Sequence, residues 1–251
     1  NLRKRTALLL SVAVVCATVA LVPQTAGAAA SKAPNAGTTA EAYTAPAAAS
    51  ITAMKACPGS SAAAAGFTDT TSTDVDCIKM HGITTGVTAT TYEPAASVPR
   101  WQMALYLTRM ATETGHTLGS GADQDFTDIS GYAADIQTAI NQLKQLGVTT
   151  GTTATTYSPD DNVTREQMAM FVNRLLALTA PGPGGNSDAA STKIVGNAGD
   201  SYNYTDIDGA GITFEGHEAI EELYNLGVPG HDKTVTTFGP AVEITRAEMA
   251  T

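Results

Sequence analysis

Three times along this chain an arginine opens a helix at the end a cation should avoid. The best-formed copy is YSPDDNVTREQMAMF, residues 157–171. Pro159 and the Asp160-Asp161-Asn162 run read as a turn. Thr164 then stands as a helix N-cap with Gln167 three residues on, the capping-box spacing. Met168, Phe171 and Leu175 follow at helical spacing. Arg165 falls in the first turn, where the helix macrodipole disfavours a cation by about 0.3–1 kcal/mol. The segment returns as YEPAASVPRWQMALY (92–106) and FGPAVEITRAEMA (238–250), with Arg100 and Arg246 in the same place. A misfit repeated three times predicts that something outside the helix compensates each arginine.

Other landmarks recur in the same order, which makes the repeat the key to the fold. An aromatic-Thr-Asp triplet opens each unit: Phe67-Thr68-Asp69, Phe126-Thr127-Asp128 and Tyr204-Thr205-Asp206. A helix is expected after each. Its apolar face is Val75, Cys77 and Ile78 in the first unit, Ile136, Ile140, Leu143 and Leu146 in the second, and Ile220, Leu223 and Leu226 in the third. Each helix should stop at a capping glycine followed by a β-branched residue: Gly82-Ile83, Gly147-Val148 and Gly227-Val228. A Thr/Gly-rich crossing then leads to the arginine helix. From glycine to arginine is 18 residues in the first two units (82 to 100, 147 to 165) and 19 in the third (227 to 246). From aspartate to glycine it is 13, 19 and 21, so the second half of each unit is the constrained half. Met103, Met168 and Met249 share one helical position and are expected in the core.

The rest of the chain bounds its context. At 251 residues and 43% hydrophobic it can build one or two cored domains. A formal charge of −10 argues against nucleic acid or an anionic membrane as partner, so a bound anion would need a local site. Residues 1–28 read as a secretory signal: Arg3-Lys4-Arg5, an apolar run from Leu8 to Val22, and Ala26-Gly27-Ala28 for cleavage. The rival is an uncleaved signal anchor; the cleavage site favours removal, and no membrane contact is expected afterwards. Residues 29–50 form an Ala/Thr/Ser/Pro-rich linker. The units follow as 51–118, 119–180 and 204–251, with a Pro/Gly-rich insertion at 181–203. Signal removal leaves Cys57 and Cys77, and a lone pair in an exported chain predicts a disulfide rather than a metal site. The sequence opens at Asn1 and ends at Thr251 as the third arginine helix begins, so a fragment of a longer frame is expected.

With triplet, glycine and TR-x-x-M helix all in place, the chain from about Cys57 onward resembles three tandem S-layer homology domains. The resemblance implies a mainly α fold: three helix–loop–helix repeats in a trefoil-like, pseudo-threefold unit, the third truncated. It implies non-covalent anchoring of an exported protein at the bacterial cell surface, through secondary cell wall polysaccharide carrying pyruvylated sugar. The arginine of the family's Thr-Arg-Ala-Glu motif, which meets the negatively charged sugar, falls on Arg246 in ITRAE, Arg165 in VTREQ and Arg100 in VPRWQ. Two alternatives stay open: a structural protein that self-assembles with other surface-layer subunits, or the targeting end of a secreted enzyme.

The chemistry behind the ligand role is that a helix N-terminus offers free N–H groups and an arginine adds a planar fork for a carboxylate. The plainer alternative pairs each arginine with a protein acid, for which Asp69, Asp128 and Asp206 are placed, with Thr164 and Thr245 supporting the helix starts. In the first unit Pro99 stands where the cap should be and cannot cap, leaving Ser97 for that role. Trp101, Tyr106, Tyr92, Tyr157 and Phe238 are candidates to stack on sugar rings or to anchor the loops by packing. Asp160-Asp161 lacks the spacing and closing glutamate of a calcium loop. His217, Glu218, Glu221 and Glu222 share a helix and read as a solvated face. Neither cofactor nor metal is expected, and no nucleophile elbow, zinc-protease helix or phosphate loop points to an enzyme.

Overall fold

The computed structural model describes residues 57, 62–178, 202–209, 211–226 and 235–251. The expected signal (1–28), the linker (29–50), nearly all of the insertion (181–203) and the Gly227-Val228 cap lie outside these. Six α-helices are described: α1 (Thr73–Met80), α2 (Arg100–Glu113), α3 (Ala134–Gln145), α4 (Arg165–Leu176), α5 (Phe214–Leu226) and α6 (Arg246–Ala250). The fold is mainly α, and the extended structure is limited to isolated bridges among the described residues. None of these helices is long and apolar enough to cross a membrane.

Every residue of the triplet has a job in its own unit. The aromatic packs on the loop aromatic ahead of the arginine helix, Phe67 on Tyr92 and Phe126 on Tyr157 at 5.6 Å between ring centroids, and Tyr204 on Phe238 at 5.3 Å. The threonine donates from backbone and hydroxyl to one carbonyl: Thr68 to Thr90, Thr127 to Thr155, Thr205 to Thr236. The aspartate accepts the two backbone N–H groups at the loop aromatic and the residue after it. That next residue has positive φ in all three units: Glu93 (58°), Ser158 (55°) and Gly239 (69°). The carboxylate thereby holds a backbone conformation that only the third unit fills with the residue type suited to it.

Two of the three expected glycine caps fall among the described residues, and both are present. Gly82 and Gly147 have φ of 70° and 76°. The next residue's N–H returns five residues, Ile83 to Ile78 and Val148 to Leu143, as a Schellman ending requires, and both β-branched side chains are buried. Gly151 is more tightly constrained. At φ 88°, a Cβ there would lie 2.6 Å from the carbonyl oxygens of Thr153 and Thr156 and 2.7 Å from the Phe126 ring. Gly151→Ala should therefore lower stability by about 2 kcal/mol, measurable as a shifted urea midpoint at unchanged slope.

The apolar faces fall as expected. Val75, Ile78, Ile140, Leu143, Ile220 and Leu223 are buried, and Ile136 and Leu146 pack against the core's edge. Met103 and Met249 are buried and Met168 is partly so. Cys57 and Cys77 form the expected disulfide, Cα atoms 5.8 Å apart. Ser97 is not the cap of α2. Pro99 holds the N-cap position with no side-chain hydrogen bond, and Ser97 bridges to Thr245 instead.

The units are joined in a closed cycle. Val98, Val163 and Ile244, each two residues before an arginine, form the hub: Val98 donates to Ile244, Ile244 to Val163 and Val163 to Val98, at 3.1, 2.9 and 2.9 Å. All three are buried. Helices follow the same rule: α2 packs on α3, α4 on α5, and α6 on α1. So each unit's second helix covers the first helix of the next, and the last returns to the first.

Candidate functional site

The three arginines each occupy the first helical position, and each leaves its own unit. Arg100 Nε donates to the Tyr157 carbonyl at 2.7 Å, Arg165 Nε to Phe238 at 2.7 Å, and Arg246 Nε to Tyr92. Each guanidinium lies over the ring whose carbonyl it takes, at 4.7, 4.9 and 4.7 Å from the centroid. A charge-assisted hydrogen bond contributes about 1.5–3 kcal/mol, more than the macrodipole penalty of about 0.3–1 kcal/mol. The misfit is thus compensated by the neighbouring unit. Tyr157 and Tyr92 also donate their hydroxyls back to the carbonyls of Arg100 and Arg246, at 2.9 and 2.7 Å. Burial pushes both phenols well above the ordinary tyrosine range.

The helix starts are not open anion sites. The first two N–H groups of each arginine helix are taken by carbonyls of the neighbouring unit: Arg100 and Trp101 by Asp161 and Pro159, Arg165 and Glu166 by Val242 and Pro240, Arg246 and Ala247 by Ala96 and Pro94. The third is taken by the capping hydroxyl where there is one. Thr164 and Gln167 form the expected capping box, and Thr245 and Glu248 form a second. The amides expected to greet an anion instead weld one unit to the next.

Among the described residues, Asp69, Asp128 and Asp206 bind the loop backbone, and Asp69 is held below the usual carboxylate range chiefly by the Tyr92 and Glu93 N–H groups. The arginines' outer nitrogens face the residue two past the next arginine: Arg100 faces Gln167 at 3.5 Å, Arg165 Glu248 at 2.8 Å, and Arg246 Gln102 at 2.6 Å. Sequence reading missed this partner, although Gln102, Gln167 and Glu248 hold one register in the three copies.

Exposure separates the three. Arg100 and Arg246 are 3% and 4% exposed, and burial holds Arg100 below its usual range. Each lies near a second ring six residues past the partner arginine, Phe171 for Arg100 and Tyr106 for Arg246. Arg165 keeps 19% of its side chain exposed, in an ion pair with the 44% exposed Glu248. Stacking on sugars is ruled out for Tyr92, Tyr157, Phe238 and Tyr106, which are buried; Trp101 is half-buried. The expected solvated face on α5 is also corrected: His217 and Glu221 are 2% and 3% exposed.

Residues 125–169 match the S-layer homology domain family. They run from the second triplet to the first turns of α4, so the chain carries an S-layer homology domain there. It is also similar to a protein named endoglucanase from Bacillus sp. (strain KSM-635), 37% identical over 94 residues. The match takes in 37% of this chain and spans 9% of that protein.

Proposed function

We propose that this chain anchors an exported protein to the bacterial cell wall by binding an acidic secondary cell wall polysaccharide, pyruvylated on its sugars. The S-layer homology match at 125–169 supports association with the cell surface. The other two copies of the triplet, loop and arginine helix extend that domain to three tandem repeats closing in a trefoil-like, pseudo-threefold unit, in which Arg100 and Arg246 serve as framework. The observation that carries the ligand role is Arg165: its side chain is 19% exposed, and its guanidinium meets Glu248, 44% exposed, at 2.8 Å. A sugar carboxylate would take the place of Glu248. An exposed pair of this kind contributes about 0–1 kcal/mol, so exchange is cheap.

Arg165→Ala should weaken binding to purified wall polymer about tenfold, the loss of one charge-assisted contact of about 1.5 kcal/mol. Glu248→Gln keeps the helix cap and removes the competing charge, so it should tighten binding. Co-sedimentation with wall polymer, before and after mild acid removes its pyruvyl ketals, measures both. Equal binding to the two polymers overturns the carboxylate role. A large loss of stability in Arg165→Ala with binding unchanged overturns the assignment of Arg165.

The similarity to a protein named endoglucanase favours one further reading, that the module targets a secreted enzyme to the wall. On this reading the 251 residues act as the binding part and not as the catalyst.

A further inference from the structure

We propose that the corner of α5 formed by His217, Glu218 and Glu221 binds a divalent transition ion of the zinc type. Helical spacing puts His217 and Glu221 on one face, and that face is turned inward. One ligand atom from each of the three residues lies within 4.8 Å of the others.

The state of the His217 ring points to a ligand. Its Nε2 meets Asp208 Oδ1 at 3.1 Å, and the Tyr202 hydroxyl donates to the same oxygen at 2.6 Å. A carboxylate only accepts, so Nε2 carries a proton, and in the neutral ring Nδ1 carries the lone pair. That Nδ1 is buried without a hydrogen-bond partner, and it faces Glu218 Oε1 at 3.9 Å. With the ring neutral, two electron-rich atoms face each other at that distance. A cation resolves this. Donors about 2.1 Å from a tetrahedral zinc ion stand about 3.4 Å apart, so a small turn of Glu218 closes the gap.

Asp208 takes the role of the carboxylate that grips the far nitrogen of a metal-bound histidine, fixing its tautomer and raising its basicity. One imidazole and two carboxylates suit zinc or cobalt. Calcium wants about six to eight oxygens. Glu218 is 26% exposed, which leaves a path for the ion.

Titrating the EDTA-stripped chain with Zn²⁺ at neutral pH should reveal one saturable site, with Ca²⁺ failing to compete. Co²⁺ should give the visible bands of a four- or five-coordinate site. Glu218→Gln and Glu221→Gln should each weaken binding about tenfold or more, with circular dichroism confirming the fold of both variants. In nitrogen NMR, Zn²⁺ should shift Nδ1 of His217 while Nε2 keeps its proton. No saturation, equal affinity in both variants, or an undisturbed Nδ1 overturns the proposal.

Discussion

Replacing Arg100 by alanine should cost about 3–4 kcal/mol of stability, and lower the melting temperature by about 10 °C. The side chain is 3% exposed, and its Nε–H satisfies the Tyr157 carbonyl at 2.7 Å. Removal loses a charge-assisted hydrogen bond of about 1.5–3 kcal/mol and a desolvated cation–π contact of about 2 kcal/mol. It also leaves a buried carbonyl unpaired. The opposing term is the cost of burying the cation, the same burial that holds Arg100 below its usual range. If that cost dominated, Arg100→Ala would be neutral or stabilising, and the clamp role would fail. Arg100→Met keeps the stem and loses the fork, so it should fall between. The partly exposed Arg165 should cost no more than about 1 kcal/mol beyond its Nε contact. Chemical unfolding of the three variants beside the parent separates clamp from ligand.

Reducing the Cys57–Cys77 bond should cost about 3 kcal/mol, from the loop-closure entropy of a 20-residue separation. For a chain of this size that is about 6–12 °C. The bond ties the segment before the first triplet to α1, which is shorter than the first helices of the other two units and must bury Val75 and Ile78. Melting with and without reductant, against Cys57→Ser with Cys77→Ser, gives the number. Equal melting in all of these would mean the reduced chain is already as constrained as the oxidised one.

Much of this was legible because it is local. The triplets, the glycine caps and the Thr164 capping box are set by residues a few positions apart, and recurrence marked them. The disulfide followed from a count of two. What stayed hidden was long-range. Nothing within 157–171 says that Arg165 will reach Phe238, or that its amides will meet Val242 and Pro240. The arginine misfit was visible, but its compensation lies in another repeat. The aspartates show the same limit, since their amide partners sit 23 to 33 positions away. The burial of His217 and Glu221 was hidden for a different reason. Helical spacing puts both on one face, but only packing against α4 and Tyr202 decides that the face turns inward.

The closed cycle of units has a kinetic consequence. The Tyr92 hydroxyl waits for the Arg246 carbonyl, 154 positions downstream, and α1 waits for α6. Non-local contacts of this kind are slow to form, because loop closure must come before any contact rewards it. Any one unit alone presents two unfilled seams, so an emerging chain gains little by folding unit by unit. Helix α6 acts as the latch, and the ring cannot shut before that helix has been made.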